Sequence, residues 1–255
     1  MKAVWSIIKK ELLTYFTSPI AYIIIFTFLL LSGFFFYSLI SWFNSIAPQM
    51  AQNPYYYQQI NINQMVFSPL FNNLSIVLML MLPLLSMRLF SEEKKMGTEE
   101  LLFTSPLSIT QIIVGKYLAS LIVLFIMLLL SAIPVLFTFI YGNPETVPFL
   151  LGYLGLFLMG AAFLGLGVFW SSITENQIVS AVLTFGTLLL FWVLSWVSYS
   201  AHGIWQGVLN YLSFFEHFDS LTRGIFDTAD LVYYLSFAIF GLFLTHSVIQ
   251  SRRWR

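Results

Sequence analysis

The chain has 255 residues, a formal net charge of zero and no cysteine, and 59% of it is hydrophobic against 9% charged. An ordinary soluble domain carries about 25% charged residues, so the charges here are too few to cover a soluble surface. The lack of cysteine excludes a disulfide framework and thiolate metal sites. The apolar residues come in long runs, and about 20 of them suffice to cross roughly 30 Å of hydrocarbon. Backbone polar groups have no water to pair with there, so spans must be helices or a closed barrel. Barrel strands alternate apolar and polar positions; the run from Leu118 to Phe139 does not. The fold class expected is all-α, a polytopic membrane protein built as one domain over 1–255.

Residues 2–17 read as an amphipathic helix. Val4, Ile7, Ile8, Leu12, Tyr15 and Phe16 recur at spacings of three to four, with Lys2, Lys9, Lys10 and Glu11 mostly opposite. Such a helix suits the membrane interface, with Trp5, Lys9 and Lys10 at that boundary. Charges in this segment also argue against a cleaved signal peptide. Ser18 and Pro19 break the helix, because the residue before proline disfavours the α region. Six spans follow, at about 20–43, 70–90, 116–140, 149–170, 178–199 and 229–250. The connection 44–69 is polar. The segment 91–115 is the most charged, and 141–148 and 171–177 are short turns. The segment 200–228 is long and semi-polar, as expected of short re-entrant helices before the last span.

Basic residues in short loops mark the cytoplasmic side. An even span count puts both termini and the 91–115 loop together, with Lys2, Lys9, Lys10, Arg88, Lys94, Lys95, Lys116, Arg252, Arg253 and Arg255. The other side keeps Arg223 and gathers Glu145, Glu216, Asp219, Asp227 and Asp230. The expected location is therefore a plasma membrane, with both termini cytoplasmic.

No phosphate-cradling loop of the G-x-x-x-x-G-K-[ST] kind is present. Gly165 and Gly167 lie inside an apolar span, where close helix packing is the better reading. Ionisable groups within spans are expensive and mark ion relays, yet the span centres hold almost none. This pattern suits a subunit moved from outside the bilayer, with no nucleotide or metal cofactor of its own and no affinity for nucleic acid.

The segment from Arg88 to Lys116 is the most informative. Thr98 is placed to cap a short helix with Glu99 and Glu100 in its first turn. Ser105 and Pro106 would stop it, and Ser108 would cap the next. The alternative is an ordinary solvated loop. Beyond span five, Glu216, His217 and Asp219 lie close in sequence. Imidazole and carboxylates are suitable metal ligands, but His217 is the one imidazole of the group, so a polar cap on short helices is the better reading. The same residues are the nearest approach to the catalytic set an intramembrane enzyme would need, and they lack a nucleophile.

The pattern Glu92, Glu93, Lys94, then Gly97, Thr98, Glu99, Glu100, Leu101, Leu102, then Ser105 and Pro106 resembles the loop between spans two and three of type-2 ABC transporter permeases. The resemblance covers essentially the whole chain. Within that family the stretch from Phe214 to Ser236 is most similar to the permeases of gliding-motility-type exporters in the bacterial inner membrane. The resemblance implies a permease driven by a separate ABC ATPase subunit, which binds ATP and Mg. Residues 91–104 would form a coupling helix. Glu92, Glu93, Glu99 and Glu100 would make polar contacts to the ATPase, Leu101 and Leu102 would anchor in its groove, and Gly97 would turn the chain. Glu216, His217, Phe218 and Asp219 would belong to an extracytoplasmic gate. Further partners implied are a second permease chain, identical or different, and an auxiliary membrane or periplasmic protein. A non-transporting assembly component with the same fold is the remaining alternative.

Overall fold

The computed structural model describes residues 2–52, 61–98, 107–142, 144–200 and 202–253, leaving aside the side chains of 198–200 and 252–253. Among the described residues there is helix and no strand. In chain order the helices are α1 (Lys2–Thr17), α2 (Pro19–Ala51), a π-helical turn (Asn63–Phe67), α3 (Ser68–Ser86), α4 (Arg88–Lys95), α5 (Ile109–Leu136), α6 (Thr138–Tyr141), α7 (Thr146–Ile173), α8 (Gln177–Ser200), α9 (Ile204–Leu212), α10 (Phe214–Thr222) and α11 (Thr228–Arg253). Among the described residues six stretches are long and apolar enough to cross a bilayer: Pro19–Ala51, Asn63–Lys95, Ile109–Tyr141, Thr146–Ile173, Gln177–Val197 and Thr228–Ser251. Each interval expected from sequence falls on one of them, and the chain is an all-α polytopic membrane protein.

Local chemistry sets the boundaries. Ser18 caps α2 by accepting from the Ile20 N–H, with Pro19 at the first helical position, where a missing N–H costs nothing. Ser108 and Gln111 form a reciprocal capping box at the start of α5, each bond 3.2 Å. Asn176 accepts from the Ile178 N–H at 2.9 Å, which turns the chain between spans four and five.

Span two is not one straight helix. Pro83 lacks an N–H, and the ladder is opened again just beyond it. The N–H groups of Phe90 and Ser91 point to the Ser171 hydroxyl of span four, at 2.9 and 3.1 Å. That hydroxyl donates to the Met87 carbonyl at 2.9 Å. A neighbouring side chain inserted in this way is a recognised cause of helix bending. It produces the join between α3 and α4.

Spans two and four form the centre, with 72% of their apolar stretch buried against 17% for span one. Span six packs most extensively on span four. The approach is close: a Cβ at Gly241 would lie 2.5 Å from the Gly165 carbonyl group, and one at Gly165 would lie 3.0 Å from Ala238 backbone. Small residues permit such contact, which drives helix association where lipid supplies no hydrophobic force. The packing role read for Gly165 is therefore met. Between spans five and six, α9 buries none of its residues, whereas α10 buries Phe214, His217, Phe218 and Leu221 against span four and its neighbours.

Gly241→Val should lower the melting temperature of the detergent-purified protein by several degrees, since overpacking costs about 1–3 kcal/mol. Gly186→Ala, mid-helix and where a Cβ meets nothing within 4 Å, should leave it unchanged or slightly raised. Circular dichroism melts of both variants check this.

Candidate functional site

At the end of the bundle where α1 lies, three segments distant in sequence meet through one buried cation. Lys116, 2% exposed, sits in the first turns of span three. Its ammonium lies 2.8 Å from Glu11 Oε1 of α1 and 2.9 Å from Glu93 Oε1 of α4, and donates to the Leu89 carbonyl at 2.6 Å. The Phe90 ring lies 5.2 Å from the same nitrogen. Lys10 approaches Glu93 at 3.2 Å from the solvent side. The three donors of an ammonium thus meet two carboxylates and a carbonyl, which is what a desolvated cation requires.

A second basic residue fastens the same block. Arg88, also buried, donates to the Thr14 carbonyl at 2.9 Å, lies 4.9 Å above the Tyr15 ring, and is 3.7 Å from Glu92. The Tyr15 hydroxyl donates to the Leu85 carbonyl at 2.9 Å. Burial, and then the Glu11 charge, push that phenol far above its usual range. Lys94 donates to the Ser172 carbonyl of span four. A cavity of about 290 Å³ opens over the ionic cluster, lined by Lys10, Glu11, Arg88, Glu92, Glu93 and Thr98 among others.

The chain leaves this block through a helix stop. Gly97 has φ +67°, its N–H bonds to the Lys94 carbonyl, and the Thr98 N–H bonds to the Glu93 carbonyl, both at 3.0 Å. This is a Schellman stop, with glycine at the left-handed position. Residues 91–104 are therefore not one helix: 91–95 finish α4, and the turn follows. The Thr98 hydroxyl turns back to the Glu93 carbonyl at 3.3 Å. Glu99, Glu100, Leu101 and Leu102 lie outside the described residues. Nor is the start of the segment a solvated loop, since Arg88, Leu89, Phe90, Ser91 and Lys94 are all buried.

At the opposite end His217 is also buried. Its Nδ1 lies 2.6 Å from Asp230 Oδ1 and its Nε2 lies 3.0 Å from the Tyr211 carbonyl oxygen. The ring stacks on Tyr233 at 4.0 Å, and Ser220 donates to the other Asp230 oxygen. Tyr233 and Tyr234 donate to the carbonyls of Leu212 and Phe214, at 2.7 and 2.6 Å. Span six thereby holds both short helices.

A family model described as ABC-2 family transporter protein matches residues 5–249. The chain belongs to that family. No curated protein sequence matches it. This ABC-2 protein is the membrane component of an ABC transporter, and the two clusters lie at opposite ends of its spans.

The residues singled out by sequence fare differently. Trp5 and Lys9 of the ABC-2 subunit are exposed on α1. Glu93, read as a contact for a partner, has a side chain only 12% exposed and is committed to Lys116 and Lys10. Glu92, at 37%, is the open carboxylate. Phe218 is fully buried, and Asp219 pairs with Arg223 at 2.6 Å. Neither Glu216 nor Asp219 joins His217, and no three potential metal ligands converge among the described residues. Glu11, Lys116, Ser171 and Asp230 carry the geometry without having been singled out. A charge inside an otherwise apolar run is the signal that could have found Lys116, since such a charge demands a partner.

Lys116→Met leaves the Glu11 and Glu93 carboxylates with only the exposed Lys10 as counter-charge, so it should cost about 3 kcal/mol in denaturant unfolding. Adding Glu11→Gln and Glu93→Gln should restore most of the loss. Lys10→Met, whose side chain is 60% exposed, should cost under about 1 kcal/mol. For the far end, a double-mutant cycle of His217→Gln and Asp230→Asn should give a coupling of about 1–3 kcal/mol. The exposed Asp219–Arg223 pair should give under about 1 kcal/mol in the same assay.

Proposed function

We propose that the chain is the permease subunit of an ATP-driven exporter, most similar to the gliding-motility type, moved by a separate ABC ATPase. The ATPase docks at the α1 end, which is the cytoplasmic end on this reading, and carries the ATP and Mg. The observation that supports docking there is the Lys116 cluster. It ties α1, α4 and span three into one block, and the chain leaves that block for residues 99–106 directly after the Gly97 stop. A partner pressing on the chain beyond Gly97 presses on all three elements at once. Leu101 and Leu102 anchor the contact, with Glu92, Glu99 and Glu100 around it. A second permease chain completes the transport path, and an auxiliary membrane or periplasmic protein joins the assembly.

The intramembrane-enzyme alternative loses its best residues to structure. Asp230 stands between Ser220 and His217, and the second imidazole nitrogen faces a carbonyl. A hydrolytic triad needs the serine on the histidine itself.

Leu101→Asp with Leu102→Asp should abolish co-purification of a co-expressed ABC ATPase partner, and should cut the hydrolysis of the detergent-purified complex at least tenfold. The melting temperature of the isolated permease should stay unchanged. Retained assembly and hydrolysis in that variant would show that the ATPase docks elsewhere.

A further inference from the structure

Where spans two and four begin and α10 ends, a polar cavity of about 280 Å³ opens. Asn61, Asn63, Ser68, Glu145, Asp219 and Arg223 line it. Asn63 is the key residue. It is 5% exposed and opens the π-helical turn, an element found often at functional sites. Its backbone N–H is satisfied by Asn61 Oδ1 at 2.8 Å. Its own Oδ1 is buried and has no hydrogen-bond partner. A buried acceptor left unpaired carries a desolvation cost, and each such group calls for an explanation.

The charges of the cavity say what would satisfy it. Asp219 and Arg223 lie 2.6 Å apart and cancel. Glu145 is exposed and makes no ion pair among the described residues. Its side chain does not cap the helix that follows it either. The cavity therefore offers one uncompensated negative charge beside Asn63, whose buried acceptor is unpaired. The complement is a small cation with N–H donors. A primary ammonium has three donors and no acceptor, whereas a quaternary ammonium of equal charge has none.

We propose that this cavity binds a primary ammonium group, carried by an ethanolamine lipid headgroup or by a small free amine. The ammonium donates to Asn63 and to the Glu145 carboxylate, at the junction of spans two and four with α10. Binding of this kind needs no ATPase, so it stands or falls apart from the transport reading.

The test reconstitutes the full chain in nanodiscs of phosphatidylcholine, with and without phosphatidylethanolamine, and separately adds free phosphoethanolamine or ethanolamine to the phosphatidylcholine discs. With ligand at roughly 10–100 times its Kd, the wild-type melting temperature should rise by about 3–10 °C. A rise only with phosphatidylethanolamine identifies a lipid ligand; a rise with the free amines identifies a solute. Glu145→Gln, at an exposed position, should lose most of the rise. Asn63→Leu should lose it too, while being no less stable than wild type in phosphatidylcholine, because it removes the unpaired acceptor. The proposal is overturned if neither probe moves the wild type, or if Glu145→Gln keeps the full rise. Should Asn63→Leu fail to fold, Glu145→Gln decides alone.

Discussion

One buried ammonium decides how this membrane protein is put together at the end where it begins. An ion pair taken out of water is weak support for stability, because desolvation offsets most of the attraction. Its strength lies in what it forbids. With Glu11 from α1 and Glu93 from α4 both closed on Lys116, none of the three elements can move away without stranding a charge. Arg88 adds the same constraint from the other side, through the Thr14 carbonyl and the Tyr15 ring. The amphipathic helix of an interfacial anchor is ordinarily held by lipid alone. Here it is bonded to the protein.

Ion pairing dominates that end, and aromatic packing with carbonyl bonds dominates the other. Phe214 touches Phe163, Phe191, Tyr233 and Phe237 with ring centroids 4.8 to 5.5 Å apart. The two tyrosines of span six direct their hydroxyls to carbonyls at the α9–α10 turn. Buried rings supply area while their polar tips satisfy groups that the helix ends leave open. Between the two ends, backbone contact at Gly165 and Gly241 brings spans four and six together without any polar side chain.

Much of this was legible in the sequence, because hydrophobic runs and helix stops are local. Six spans, the α1 helix, the Ser108 cap and the small-residue packing at Gly165 all follow from neighbours within a few positions, and the Gly97 turn from the family resemblance. The functional pairings are not local. Lys116 and Glu11 are 105 residues apart, and a count of charges places them on one side without joining them. His217 was read with Glu216 and Asp219 because they adjoin it in sequence. On a helix, residues one or two apart do not face each other. The partner that faces His217 is Asp230, 13 residues on and in the next helix. Glu93 looked available because it belongs to a charged run, yet a run of charges on a helix has an inside face as well.

The Ser171 hydroxyl has a mechanical meaning. It holds span two at the join of an 8-residue helix and a 19-residue one. At 1.5 Å per residue these are arms of roughly 12 and 28 Å on either side of the break. The short arm carries Glu93 of the ionic block, and the long arm ends where Ser68 meets Thr222 of α10. One serine on span four thereby fixes where span two breaks, between the segment that carries the ionic block and the segment that reaches α10.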